Sequence, residues 1–362
     1  MTSNESSDSK KLSEGTIFGI GNPLLDIIAE VPVSFLEVYN LKANDAILAS
    51  EAHKGLNESL LRDYPHHQFV AGGATQNSIR AATWLLQQPN VCVYMGCVGQ
   101  DKYHQLLHDA ASKAGLLLSY QICTNSEERI QTGTCAVLIN GNNRSLVANL
   151  GAANHFTIDH LDDSRNKQLI EQAKIFYTAG FFYTVCPAAV MRICEHADAN
   201  NKLFCTNLSA PFISEFFGDR LMKAMPYVDY LFGNETEAAS FAKHQLKLDT
   251  EDVKIIAKAL SELPKKNSQR KRVVIITQGA EPTVLAIAGE DIKEFPVKKP
   301  MDIVDTNGAG DSFVGGFLAY LALGKSVEEA IQAGSYCAYE CIQQSGCTFP
   351  EKPSFDPIKF VV

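Results

Sequence analysis

Apolar and polar positions fall in blocks along this chain. "TIFGIG" (16–21) is a short β-rich run that ends on Gly21, and "VCVYMGCVG" (91–99) is a longer apolar run closed by glycine. Between them "QNSIRAATWLLQQ" (76–88) carries apolar residues at helical spacing, as does "YHQLLHDAASKAG" (103–115), which stops at Gly115. Further on, "AKIFYTAGFF", "KLFCTNLS", "YLFGNETE" and "RVVIITQG" each read as a strand that runs into polar or small residues, with helical patterns between most of them. This alternation predicts an α/β domain of three layers, with a central, mostly parallel sheet flanked by helices. Such sheets bind ligands beyond the carboxyl ends of their strands, where these polar endings fall.

Two regions break the rhythm. "DIIAEVPVSFLEVYNLKANDAILAS" (26–50) mixes β-branched residues with turns, and "GTCAVLINGNNRSLVANL" (133–150) reads as a hairpin about Asn-Gly. They predict a small β-rich lid built from about 26–50 and 120–150, with the large α/β domain taking the rest of 16–362. Residues 1–15, "MTSNESSDSKKLSEG", are polar and read as a disordered tail with no secretory leader. "PKKNSQRKR" (264–272) reads as a solvated basic loop, with a nuclear address as the alternative.

Composition narrows the function classes. The 362 residues are 46% hydrophobic, enough for one large domain or two. The net charge of -9 gives no basic field to attract nucleic acid or an anionic membrane surface. No apolar run reaches the roughly 18 residues of a membrane helix. Ten cysteines without disulfide-like spacing point to reduced thiols and a cytoplasmic protein. His104 and His108 lie four apart but lack the glutamate of a zinc-protease motif, so they read as surface residues. Cys337 and Cys341 have no second ligand pair and read as core, as does Trp84. No Walker-type "GKS" or "GKT" loop and no Gly-x-Ser-x-Gly elbow is present.

The chemistry concentrates in "DTNGAGDSFVGGFLAYLALG" (305–324). Phe313, Phe317 and Leu321 at fourfold spacing mark a helix, with Gly324 as its stop. Backbone N–H groups at a helix start lack intrahelical partners and, with the helix dipole, favour an anion. Gly308, Ala309 and Gly310 would then present donors to a phosphate, with Asp311 aimed at the same place. A carboxylate there repels phosphate unless it works as a base on an attacking hydroxyl. Asp311 as a plain helix cap is the alternative. Near the start of the chain, Gly72 and Gly73 precede a helix and allow a flat ligand to lie against backbone, while Asn77 can donate and accept as hydroxyls require. Asp26 follows a strand and a turn and could accept from adjacent ribose hydroxyls, or simply face solvent. Asn234 and Glu237 in "GNETE" share one helix face, where they could cap the helix or hold water around Mg²⁺.

"DTNGAGD", "AGGATQNSI" and "GNETE" resemble the signatures of the ribokinase-like, or pfkB carbohydrate kinase, family. Wording from "GNPLLDI" to "GCTFPEKPSFDP" (21–357) is similar to its nucleoside-phosphorylating members. The resemblance implies a ribokinase-like fold with a lid and transfer of the γ-phosphate of ATP, with Mg²⁺, to the 5′-hydroxyl of adenosine. It further implies Asp311 as base and the 308–310 amides as anion hole. Asn22 and Asp26 then lie in the nucleoside site, and Gly72, Gly73 and Asn77 bind the ribose. Leu24, Leu48, Cys135, Leu146 and Phe181 wall the purine. Asn234 and Glu237 hold Mg²⁺ through water, Thr277 and Gly279 form the adenine-nucleotide loop, and Arg144 reaches the phosphates when the lid closes. A monovalent cation near Asp305 is common in the family, and no residue is assigned to it. The implied state is a monomer. Ala46 and Ala74 depart from the polar residues usual there. Two rival readings stay open: a kinase of the same family for another nucleoside or a free sugar, and a non-catalytic nucleoside-binding protein.

Overall fold

A computed structural model of the chain describes residues 11–43, 46–124, 130–141 and 143–360. Fourteen strands are seen among them: β1 Ile17–Ile20, β2 Leu24–Glu30, β3 Ala46–Leu48, β4 Gln68–Gly72, β5 Cys92–Val98, β6 Leu117–Ile122, β7 Thr134–Asn140, β8 Asn143–Asn149, β9 Ile175–Thr178, β10 Leu203–Asn207, β11 Tyr230–Asn234, β12 Val273–Gln278, β13 Glu281–Ile287 and β14 Lys293–Phe295. Nine form the large sheet in the order β14-β13-β12-β11-β10-β9-β1-β5-β6. From β12 to β6 every pairing is parallel, and β13 and β14 close one edge antiparallel.

Successive strand residues serve opposite faces of this sheet. Phe176, Phe204, Leu231 and Ile276 pack in one core, while their neighbours Tyr177, Cys205, Phe232 and Ile275 pack in the other. Both faces are covered, which is why these strands read as unbroken apolar runs. The helices Ala74–Leu86 and Val327–Cys341 pack on either side of the helix Ala309–Ala322.

The remaining five strands form the smaller sheet, β3-β8-β7-β2-β4. The expected hairpin is there, with Asn140 opposite Asn143 across Gly141. The sheet draws on three pieces of chain rather than the two expected. β4 pairs antiparallel with β2, Asp26 opposite Val70. Residues 120–122 belong instead to β6, at the edge of the large sheet.

Three further expectations are corrected. Residues 1–10 of the expected tail lie outside the described residues. Residues 11–15 are tied down: Leu12 N donates to Gln88 Oε1 at 2.9 Å, and Gly15 N to Asn90 O at 2.9 Å. The basic run is a loop as expected, but only part of it is solvated. Arg272 is 1% exposed and donates to the carbonyls of Met225, Leu260, Leu263 and Pro264. Lys265 and Arg270 both pair with buried Asp229, so with Arg272 three of the run's five cations are used inside the fold. His104 and His108 are half-buried against the Tyr120 ring rather than fully on the surface. Cys337 and Cys341 are buried as expected, and all ten cysteines are free thiols. Trp84 stacks between Tyr336 and Phe349 and donates to Pro350 O at 2.7 Å. No helix among the described residues is long and apolar enough to cross a membrane.

Candidate active site

Residues that directly follow β1, β9 and β10, together with the end of β11 and the inner face of the smaller sheet, enclose a cavity of about 380 Å³. It lies beyond the carboxyl ends of the large sheet's strands, as the topology requires. Asp311, Asn77, Asp26, Asn22, Asn234 and Glu237 bring polar groups to it.

The Asp311 helix begins at Gly308, whose φ of +77° is the left-handed region. A Cβ at Gly308 would also meet Cys347 Cβ at 2.7 Å, so glycine is needed twice over. Asp311 therefore falls in the first turn and is not the cap. Its Oδ2 accepts from Asn77 Nδ2 at 3.0 Å, across 234 residues of sequence. Burial pushes its carboxyl up to about 6, with the Asn77 bond pulling the other way. Gly308 and Gly310 line the cavity. Ala309 does not, and its N–H turns back to Thr306 O at 3.3 Å.

Two more carboxylates are strained by the same enclosure. Burial pushes Asp26 up to about 7; the Arg80 guanidinium offsets part of this and the Asp311 charge adds to it. Burial likewise takes Glu237 to about 7, against the backbone N–H of Asn234, with Asp311 and Glu235 adding to the rise. Three acids converge with too little positive charge to offset them, so the cavity favours a ligand that brings hydroxyl donors or a cation. Asn22 Oδ1 and Asn77 Oδ1 are buried without a hydrogen-bond partner. An unmet buried acceptor costs on the order of 1–3 kcal/mol, which a ligand hydroxyl would relieve.

Gly73 lines the cavity with φ +90°, and a Cβ there would collide with Asn22 O. Gly72 stays outside the wall; its missing side chain makes room for the Asp26 carboxylate. Leu24, Leu48, Cys135, Leu146 and Phe181 form an apolar wall, joined by Ala46 and Ala74 at its margins. Asn234 and Glu237 form the capping box of the helix Glu235–Phe241: Asn234 Oδ1 accepts from Glu237 N at 2.8 Å, and Glu237 Oε2 accepts from Asn234 N at 3.1 Å. The two also face the cavity, so capping fixes their orientation there.

Beyond Ala309 and Gly72, three further expected site residues stand apart from the main cavity. Arg144, on β8, is ion-paired with Asp305. Asp305 is buried and also accepts from the backbone N–H groups of Asn307 and Gly346, each at 2.7 Å. This pair ties the smaller sheet to the loop ahead of Asp311. Thr277 lines an adjoining cavity of about 90 Å³ that shares Glu237, Gly310 and Asp311 with the first. Gly279 sits in the exposed turn between β12 and β13 with φ +57°.

Sequence reasoning missed Phe212, whose ring lies 6.0 Å from that of Phe181 at 41°. It also missed Arg80 and Ser209. Ser209 holds φ +67° and donates to Asn207 Oδ1 at 2.5 Å. The only local signal for this turn was "NLSAPF" directly after a strand.

The sequence profile of pfkB family carbohydrate kinases matches residues 33–354. Adenosine kinase 1 of Arabidopsis thaliana is 48% identical over 345 residues, 95% of this chain and 98% of that protein. Adenosine kinase of Schizosaccharomyces pombe is 43% identical over 343 residues, covering 94% and 97%. Among solved structures, Anopheles gambiae adenosine kinase in complex with P1,P4-di(adenosine-5) tetraphosphate superposes with a TM-score of 0.89 at 46% identity, covering 95% of this chain and 100% of that one. Schistosoma mansoni adenosine kinase in complex with 2-fluoroadenosine gives 0.88 at 36% identity, covering 94% and 98%.

Proposed function

The chain belongs to the pfkB carbohydrate kinase family, and from that premise we propose that it transfers the γ-phosphate of ATP to the 5′-hydroxyl of adenosine, giving AMP and ADP. The observation that carries this reading is a single cavity combining Asp311 at a helix start, the buried acceptors Asp26, Asn22 and Asn77, and an apolar wall with two aromatic rings. A flat base needs the apolar wall and a ribose needs the acceptors. A free sugar would leave the wall unused.

Asp26 and Asn77 accept from the ribose hydroxyls, and Gly73 lets the sugar lie against bare backbone. The base packs against Phe181 and Phe212. Asp311 takes the proton of the 5′-hydroxyl as its oxygen attacks phosphorus, and the amides of Gly308 and Gly310 stabilise charge on the transferring group. Arg144 leaves Asp305 for the phosphates as the smaller sheet closes, which excludes water as a rival acceptor. Mg²⁺ supplies charge neutralisation for the ATP phosphates. Glu237, with Asn234, would hold it through water, and the fit rests on a buried carboxylate in need of a cation.

The test is a panel of acceptors with ATP and Mg²⁺. Adenosine gives AMP and ADP in equal amounts, and free ribose is a poor substrate. Preferential phosphorylation of ribose would assign the chain to the sugar kinases, and no turnover on any acceptor would leave only a binding role.

Two expected results follow from particular residues. Phe212→Ala removes one ring beside the base and raises KM for adenosine roughly tenfold, since base–aromatic stacking is worth about 1–3 kcal/mol. The acid limb of kcat/KM reports the free enzyme. Asp311 and Asp26 act with their carboxyls ionised, and both titrate high, near 6 and 7. Activity therefore falls as pH drops, by about tenfold per unit between the two values and by about a hundredfold per unit below both. A profile flat down to pH 5 contradicts this assignment.

A further inference from the structure

We propose that Gly315 is a positioning residue for this reaction: its missing side chain lets the Asp311 helix approach the Asn77 helix closely enough for Asn77 to hold the Asp311 carboxylate. The inference rests on the reading of Asp311 as the base.

Asn77 and Asp311 sit near the starts of two helices, Ala74–Leu86 and Ala309–Ala322, that pack directly on one another. Gly315 follows Asp311 by four residues and so lies on the same helix face, one turn further from the cavity. A Cβ at Gly315 would collide with the carbonyl oxygen of Ser78 and meet Ala81 Cβ at 2.5 Å and Ala82 N at 3.0 Å. Ser78 is the chain neighbour of Asn77, so any shift of its backbone carries Asn77 with it. Ala81 and Ala82 are fully buried, and no flexible side-chain end is available to yield.

Carbon atoms in ordinary contact lie about 3.5–4.0 Å apart, so a methyl here parts the helices by about 1 Å. The Asn77–Asp311 bond is 3.0 Å now. Lengthened by that amount it leaves hydrogen-bond range. The carboxylate then loses the donor that orients it, while every group that touches substrate keeps its identity.

Gly316, the next residue, supplies the control. It faces the opposite way, and a Cβ there would collide with Ala333 O and meet Cys337 Sγ at 2.8 Å. Gly316→Ala therefore strains the packing on the helix Val327–Cys341 and leaves the Asn77 side alone. Both variants create overpacking of the same kind, which separates loss of stability from loss of positioning.

The experiment measures kcat, KM for adenosine and for ATP, and thermal midpoint for the wild type, Gly315→Ala, Gly316→Ala and Asp311→Asn. The expected result is a fall in kcat of about a hundredfold for Gly315→Ala, the cost of misplacing a reacting group by about 1 Å. KM for ATP then stays within about threefold, because the loss is confined to the chemical step. Gly316→Ala, with a similar drop in midpoint, keeps kcat within about threefold. If Gly315→Ala fails to accumulate as folded protein, the Ala81→Gly/Gly315→Ala pair is assayed against the same criteria, since it moves the methyl across the contact and still displaces Ser78. Wild-type kcat in the Gly315 variant, or equal loss in both glycine variants, overturns the proposal. Asp311→Asn distinguishes the two failures: if it is inactive while Gly315→Ala is normal, only the positioning role falls, and if it remains active the base role falls.

Discussion

Asp311→Asn lowers kcat by about 10²- to 10⁴-fold, the usual worth of a general base. Asparagine keeps the shape of the side chain and an oxygen that can still accept from Asn77, but it cannot take a proton at neutral pH. Because the substitution removes a charge beside Asp26 and Glu237, both of which the Asp311 charge holds up, adenosine binding is retained. Steady-state kinetics and titration calorimetry measure the two effects separately. Turnover within tenfold of wild type would mean that no proton passes to this carboxylate. The buried Asn77 bond matters here too, since it lowers the carboxyl and so keeps the base ionised at neutral pH.

Asp26→Ala has the second-largest effect, and it acts on binding. Hydrogen bonds to a charged group are worth about 1.5–3 kcal/mol each, so losing two hydroxyl contacts lowers kcat/KM for adenosine by about 10³-fold. The same substitution removes a negative charge close to Asp311, so the acid limb of the remaining activity moves to lower pH. The cycle with 2′,3′-dideoxyadenosine makes the test specific. The wild type rejects this analogue strongly, whereas the variant treats it and adenosine alike. Equal discrimination by both proteins would remove Asp26 from the ribose site.

What could be read from the sequence, and what could not, follows from where the determining contacts come from. The strands of the large sheet were legible because both of their faces are buried, which leaves continuous apolar runs such as "RVVIIT". The 305–311 string was legible because its glycines, its helix start and its acid are all local. β4 was not: "QFVAG" is an edge strand whose first two residues are exposed, and it runs straight into the glycines ahead of the Asn77 helix. The burial of Arg272 was equally hidden, since its carbonyl partners come from residues 225 to 264. Phe212 reaches Phe181 only because β9 and β10 are neighbours in the sheet and each turns into the cavity at its carboxyl end. Local pattern carries no record of such a meeting. The partner of Arg144 is of the same kind, 161 residues away at Asp305.

The most direct measurement is a crystal structure of the protein with adenosine and a non-hydrolysable ATP analogue bound. The account predicts an Asp311 carboxylate oxygen about 2.6–3.2 Å from the 5′-oxygen, with the γ-phosphorus in line beyond it. A nucleoside seated with its 5′-oxygen out of reach of that carboxylate, or bound outside this cavity, would contradict it.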